Sequence, residues 1–311
     1  MTETPTSLKK QATLLAWANW RLTMPGAWHP LKLAGTQQKG QMIVGNHEGP
    51  LFIINWERPS TASYDGAKWI AGRFKKLGVR PADNPPAKAH FTECGWARDV
   101  QTREGSESTQ WLGYSHPARL LIGFSVNGMI PEATRKQVVR HVLPTLTTSA
   151  REEETTWAMH NVSFSSPAGF ELSQRKLFSG DIALEFSKGK HEELLLRQVY
   201  PAELALQRRH MEKWLECYPF KQHRRLRRAT LKTDPWQCRQ RPDLVGLQRS
   251  AWKRLPSPLG AWAPRQSLAL AAHDRGLDRL LIVEHMAREA PDPATGAAAI
   301  DGMNRGDWAD A

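Results

Sequence analysis

The chain has 311 residues and, at about 150 residues per domain, is long enough for two domains with separate cores. Its 40% apolar and 24% charged residues exclude a collagen-like or wholly disordered chain, and no apolar run approaches the roughly 18 residues that cross a bilayer. The formal net charge of +12 favours acidic partners.

Strands and a helix are predicted in order along the first part of the chain. Glycine and polar clusters typical of hairpin turns separate apolar runs at 28–33, 41–45 and 51–56. Apolar residues then recur at helical spacing over 67–77, and Gly78 supplies a left-handed stop. This pattern predicts an antiparallel meander followed by a helix.

The chain then returns to strands and closes with a second helix. Strands are expected around 90–100, 110–115 and 119–125. A buried apolar stripe predicts a helix over about 131–146, in which Pro144 disturbs the last turn because it has no N–H to donate.

The second half shows a similar succession. Residues 182–186 alternate as a half-buried strand does, a helix is predicted over 204–215, and matching strands are expected at 267–273 and 279–286. A proline-rich, acidic sequence follows, so 291–311 is predicted to be a flexible acidic tail.

Short motifs recur between the two halves and indicate an internal repeat. Ala118–Ile122 resembles Asp278–Ile282 at an offset of 160, whereas earlier motifs recur at smaller offsets, which predicts one insertion in the later copy. The earlier pairs are Pro25 with Pro167 at 142, Gly40 with Gly180 at 140, and the run from Leu51 with the run from Leu194 at 143.

These observations predict an α+β fold of two similar units, each an antiparallel sheet covered by helices in the order β(3)-α-β(3)-α. The first unit is assigned to 1–150 and the second to 151–290, with a basic insertion at about 218–255. The element order and the openings Pro25-x-x-Trp28 and Pro167-x-x-Phe170 resemble the PsbP-like family, which includes an extrinsic photosystem subunit and a nuclear-import factor that binds a small GTPase. This resemblance implies two tandem copies of that fold and favours binding over catalysis.

Most of the thirteen tryptophans are expected in the core, because a tryptophan ring buries about 150–250 Å2 and eight of them occur in or beside predicted strands and helices. Trp236, Trp252 and Trp262 differ, because they alternate with Arg and Lys; they can stack on bases or anchor an irregular insertion. The eight core positions are Trp17, Trp20, Trp28, Trp56, Trp69, Trp96, Trp111 and Trp157.

Positive charge is concentrated between Leu206 and Arg254, where fourteen Lys or Arg stand against four acidic residues. Such a block attracts an acidic protein or a nucleic acid, although it can also be a solvated surface or be screened by the acidic tail. We predict a non-enzymatic interaction or scaffold protein that binds an acidic macromolecule here. The predicted binding residues are Arg224, Arg225, Arg227, Arg228, Lys232, Trp236, Arg239, Arg241 and Trp252.

Evidence for catalysis is weaker. No Walker loop, G-x-G-x-x-G, H-E-x-x-H or C-x-x-C occurs, so no cofactor and no metal site is predicted. The densest ionisable cluster is His273, Asp274 and His285, which gives the alternative of a hydrolase or metal-dependent enzyme.

The cysteines and the lack of a membrane segment bear on location. Cys94, Cys217 and Cys238 are odd in number and far apart, as is typical of reduced thiols. We therefore expect a cytoplasmic protein without a membrane partner; the oligomeric state does not follow from the sequence.

Overall fold

The computed structural model describes residues 12–61, 63–101, 107–159, 162–217, 233–237, 244–254 and 262–304. The chain divides into two compact units, one within Met1–Asn161 and one within Val162–Arg305. In these described ranges no helix has both the length and the apolar character needed to cross a bilayer.

The first unit is built on a six-stranded antiparallel sheet in the order β3-β4-β5-β8-β7-β6, and a smaller sheet contains β10-β1-β2-β9. Its strands are β1 (Ala12–Trp17), β2 (Trp20–Pro25), β3 (His29–Gly35), β4 (Lys39–Asn46), β5 (Gly49–Glu57), β6 (Glu93–Gln101), β7 (Glu107–Ser115), β8 (Leu120–Val126), β9 (Thr147–Thr148) and β10 (Thr155–Met159).

Helix α1 (Gly66–Leu77) begins and ends where its capping residues predict. The Asp65 carboxylate accepts the backbone N–H of Lys68 at 2.8 Å, and Gly78 adopts a left-handed φ of 69° that closes the last turn. Ile70 and Phe74 are buried against β6 and β7. The helix therefore covers only one half of its side of the sheet.

The predicted helix over 131–146 changes its hydrogen-bonding pattern along its length. It consists of α2 (Glu132–Gln137), one π turn (Val138–Val142) and one 3₁₀ turn (Leu143–Thr145). Pro144 lies in the 3₁₀ turn, as expected for a residue that cannot donate to a preceding carbonyl. A further 3₁₀ turn spans Lys88–His90.

The second unit is built on a seven-stranded antiparallel sheet in the order β12-β13-β14-β18-β17-β16-β15. Its strands are β11 (Val162–Ser166), β12 (Glu171–Phe178), β13 (Asp181–Lys188), β14 (Glu192–Val199), β15 (Thr233–Gln237), β16 (Leu244–Arg254), β17 (Trp262–Asp274) and β18 (Arg279–Ala287). Its helices are α3 (Ala202–Leu206), α4 (Met211–Cys217) and α5 (Pro293–Asn304).

The two large sheets share the same strand order over six strands, so that β3, β4, β5, β8, β7 and β6 correspond to β12, β13, β14, β18, β17 and β16. A β-bulge interrupts the first strand pair at the same place in both units, between Pro30 and Lys32 and, at an offset of 142, between Leu172 and Gln174.

Strand register fixes the equivalence of the later strands. Glu57 pairs with Leu121 where β5 meets β8, and Val199 pairs with Leu280 where β14 meets β18. Residue numbers therefore differ by 142 between β5 and β14, and by 159 between β8 and β18. The additional residues lie between β14 and β17, a stretch that includes 218–255.

The predicted α+β class, with helices covering each sheet, is wrong. Over its described residues the protein is β-rich, with 50% strand and 21% helix. The helix predicted over 204–215 is split into α3 and α4, because Gln207 and Arg208 adopt left-handed φ values of 49° and 61°. Strands β1, β2 and β10, which were not predicted, add a further sheet to the first unit.

The segment predicted as an acidic tail, 291–311, contains helix α5 over Pro293–Asn304. Helix α5 packs on β17 and β18 and buries Ile300 and Met303. Its alanines and Gly296 allow close approach, since a Cβ at Gly296 would lie 2.8 Å from Leu270 Cδ1. The final residues, 305–311, lie outside the described part.

Seven of the eight tryptophans expected in the core are buried, which confirms most of that prediction. Trp69 on α1 is only partly buried. In the first unit the Trp17 and Trp157 rings meet edge-to-face with centroids 4.9 Å apart, and Phe52 stacks on Phe124 at 4.7 Å.

Candidate functional site

A cavity of about 430 Å3 lies in the first unit, on the side of the six-stranded sheet that carries α1. It forms because α1 packs on β6 and β7, so that the neighbouring parts of β4, β5 and β8 are left without a helix above them. Its lining residues are Lys39, Gly40, Asn55, Trp56, Glu57, Trp69, Arg73, Lys76, Leu77, Gln110, Leu112, Leu121 and Gly123.

Gly123 forms the floor of the cavity. It pairs with Leu112 on one side and with Asn55 on the other, so the three residues lie in a row across the sheet. A Cβ built at Gly123 would lie 3.5 Å from Leu112 Cδ2 and 3.9 Å from Asn55 Cβ, which are ordinary contact distances. The missing side chain at Gly123 therefore creates space that an apolar residue would fill.

Three residues of α1 form a side wall of the cavity. Trp69, Arg73 and Lys76 follow one another at four- and three-residue steps, which places them on one side of the helix. The Arg73 guanidinium lies 5.8 Å from the centroid of the Trp69 ring, within the range of a cation–π contact. Among the described residues, neither Arg73 nor Lys76 forms an ion pair.

Neutral polar groups lie between the floor and the rim. The Gln110 amide donates to Ser125 Oγ at 2.6 Å and to Ser108 Oγ at 3.0 Å, which fixes its orientation. Asn55 Oδ1 accepts from Gln41 Nε2 at 3.0 Å. At the rim, Lys39 and Glu57 form an ion pair at 3.0 Å between largely exposed side chains.

The second unit fills the equivalent place. Register matches Gly123 with Ile282, which is fully buried, and matches Asn55 with Arg197. The Asp181 carboxylate there accepts from Arg197 Nε at 2.6 Å and Nη2 at 2.8 Å, and it also contacts Lys176. Burial would raise the pKa of Asp181, but hydrogen bonds and positive charge from these two partners hold it below its ordinary value.

Most of the predicted binding residues lie outside the described part of the chain. Arg224, Arg225, Arg227, Arg228, Lys232, Arg239 and Arg241 fall outside the described residues. The backbones of Trp236 and Trp252 are described. Trp236 lies in β15, the edge strand of the seven-stranded sheet, opposite Gly246, and Trp252 lies in β16 opposite Pro264.

The predicted catalytic cluster divides into two separate places. His273 pairs with Leu280 near the β17–β18 turn, whereas His285 lies five residues further along β18, which corresponds to about 17 Å. Asp274 closes the turn by accepting from Gly276 N, Leu277 N and Arg279 Nε. The three side chains therefore do not converge on one reacting centre.

Each histidine of that cluster has its own carboxylate partner. His285 Nε2 lies 2.9 Å from Glu192 Oε1, and the His285 ring meets the Phe170 ring edge-to-face at 6.1 Å. His273 Nε2 is 3.8 Å from Asp278 Oδ1. Within the described ranges no group of three or more His, Cys, Asp or Glu is arranged to hold a metal ion.

Cys94 on β6 is a free thiol in the first unit, and burial raises its pKa. A thiol whose pKa is raised is less nucleophilic near neutral pH, because less of it is thiolate. This environment does not favour a role for Cys94 as a nucleophile.

Sequence reasoning missed the cavity. It placed Trp69 in the core and gave Gly123 no role, although a glycine inside an apolar strand can signal a close approach of another group. Glu192, the partner of His285, was also missed because it lies on another strand, 93 residues away in the sequence.

No protein-family model matches this chain, and a search of curated proteins finds no significant relative.

Proposed function

We propose that the protein is a non-enzymatic interaction protein that binds an acidic macromolecule through the basic segment, defined as residues 218–255. The observation that carries the proposal is the charge imbalance of this part of the chain: Lys and Arg outnumber acidic residues by fourteen to four between Leu206 and Arg254, and by eleven to two within the basic segment itself. A segment of this density attracts polyanions and acidic protein surfaces, because binding releases their counterions.

The placement of the neighbouring strands supports this proposal. Among the described strands β15 is the edge of the seven-stranded sheet, and it lies within the basic segment together with the whole of β16. An edge strand has one row of backbone groups without a strand partner in its own sheet, and such a row can pair with another molecule.

Charge reversal tests the proposal directly. The variant Arg224→Glu, Arg225→Glu, Arg227→Glu and Arg228→Glu is compared with the original chain for retention on heparin and for binding to single-stranded RNA and to an acidic peptide at several salt concentrations. We expect the original chain to bind with a steep salt dependence and the variant to lose at least tenfold in affinity, on the order expected when several phosphate contacts are removed.

A second variant controls for net charge. Lys32, Lys68, Lys75 and Lys190 are exposed and lie outside the basic segment, so changing all four to Glu alters the total charge equally. Binding that falls equally in both variants would refute a role for this particular segment. Competition between RNA and the acidic peptide then distinguishes the two partner classes.

A further inference from the structure

We propose that the cavity of the first unit binds a small organic anion with a flat apolar body, of the aromatic carboxylate or sulfonate class. The site is separate from the basic segment, because all of its lining residues belong to the first unit. Its volume of about 430 Å3 is within the range of small-molecule sites, which is roughly 300–1,000 Å3.

The lining determines the class of ligand. Leu112, Leu121 and the Gly123 backbone give an apolar floor, and Trp69 gives an aromatic surface on the side wall formed by α1. A flat ring that lies on this floor with its edge against Trp69 would be removed from water where it contacts them, which is the main favourable term for an apolar body.

The charges of the wall favour an anion. Arg73 and Lys76 both line the cavity and form no ion pair among the described residues, whereas the other lysine, Lys39, is neutralised by Glu57. Arg73 can donate two parallel N–H groups to a carboxylate or sulfonate, a geometry that strengthens the contact. An anionic group at this wall would therefore be recognised while its ring lies over Gly123.

Comparison of the two units indicates that the cavity is not required by the fold. The same register position is Gly123 in the first unit and the fully buried Ile282 in the second. The position of Asn55 is taken by Arg197, which binds Asp181. The same strand order therefore occurs with a cavity in the first unit and with a buried side chain at the same position in the second. A larger side chain at Gly123 is thus compatible with this strand order.

The test uses 8-anilinonaphthalene-1-sulfonate as the anionic probe, N-phenyl-1-naphthylamine as its neutral analogue, and the full chain. Two variants address the two halves of the proposal. Gly123→Ile introduces the residue of the second unit and fills the floor, with Gly123→Val as a smaller alternative should the first not fold. The double variant Arg73→Gln and Lys76→Gln removes the charges, and Lys68→Gln with Lys75→Gln is its matched control on the same helix.

We expect saturable binding of the anionic probe with one high-affinity site and weaker binding of the neutral analogue. Filling the floor and removing Arg73 and Lys76 should each weaken the anionic probe by about tenfold or more, the size expected for charge-assisted contacts, while the matched control binds normally. Heparin retention should be unchanged in the Gly123 variants, so this proposal and the proposed function can fail separately.

Other outcomes would overturn the proposal. Binding that survives both Gly123 variants shows that the probe lies elsewhere. Binding that falls in the Gly123 variants but not in the Arg73 and Lys76 variant shows an apolar cavity without anion recognition. Equal losses in the double variant and its matched control show a general effect of surface charge.

Discussion

Asp181 is held as a carboxylate by two basic neighbours, and this arrangement makes the stability of the second unit depend on pH. Burial opposes the charged form, but Arg197 and Lys176 outweigh it, so the folded-state pKa of Asp181 lies below its ordinary value. A lowered pKa contributes stability above the unfolded-state pKa, and that contribution is lost as the pH falls through the folded-state pKa. The contribution is therefore complete at neutral pH.

Replacing Asp181 with Asn tests this reasoning. The variant should lose about 1–3 kcal/mol of unfolding free energy at neutral pH, because Arg197 and Lys176 would lose the charged carboxylate that both of them contact. The difference from the original chain should shrink as the pH falls below about 4. Urea unfolding at several pH values measures it, with the exposed Asp83→Asn as control. A difference independent of pH would contradict the proposed origin.

Helix α1 contains two glycines with opposite surroundings. A Cβ at Gly66 would lie 2.4 Å from Tyr114 Cδ1, and Tyr114 is buried, so the helix approaches β7 closely only because Gly66 has no side chain. Gly72 is exposed in the helix interior, and nothing lies within 4 Å of the position that a methyl group would take there. The two positions therefore respond differently to the same substitution.

We expect Gly72→Ala to raise the unfolding free energy by about 0.5–1 kcal/mol, because alanine restricts the unfolded chain and favours the helix. Gly66→Ala should lower it by about 1–3 kcal/mol, since the added methyl group meets a buried ring. Urea denaturation monitored by circular dichroism gives both values. Equal effects at the two sites would mean that helix propensity alone decides the outcome.

The elements also show which parts of the architecture were predictable from the sequence. Local signals sufficed for α1, because Gly78 and the Ile70–Phe74 stripe act within one helix. The break between α3 and α4 did not follow from apolar spacing, because it depends on left-handed φ values at Gln207 and Arg208. A glycine would have indicated such a conformation in the sequence, but glutamine and arginine do not.

The similarity of short sequence motifs indicated an internal repeat but did not give its exact residue-by-residue alignment. The motifs Ala118–Ile122 and Asp278–Ile282 match at an offset of 160, whereas strand pairing gives 159. A slip of one residue exchanges the two sides of a strand, so the sequence offset would place Gly123 opposite Val283, on the other side of the sheet from Ile282. For this reason the cavity could be found only after the register was known.

The two large sheets have the same strand order, but different types of side chain form the cores that pack against them. Tryptophan rings such as Trp56 and Trp111 are fully buried in the six-stranded sheet of the first unit, whereas aliphatic side chains dominate a core cluster of the second. Similar strand order with different core residues is possible because overall volume and apolar pattern constrain a core more than individual identities do. The resemblance to the PsbP-like family stays a prediction.

The shared order predicts a repeated pattern of backbone protection. The central pairs β5–β8 and β14–β18 have hydrogen-bonded neighbours on both sides, whereas β3 and β12 lie at sheet edges and are largely exposed. Amide hydrogen exchange followed by mass spectrometry should therefore give the slowest exchange in peptides from these central strands and faster exchange in the two edge strands.

The decisive feature of that experiment is its periodicity. Protection of β5 should reappear in β14 at an offset of 142, and protection of β8 should reappear in β18 at an offset of 159, because the amides at these positions have equivalent partners. Urea at a concentration below the unfolding transition sharpens the contrast, since edge strands open locally before the central pairs do. A central strand that exchanges as fast as its own edge strand in either unit would contradict the equivalence of the two sheets.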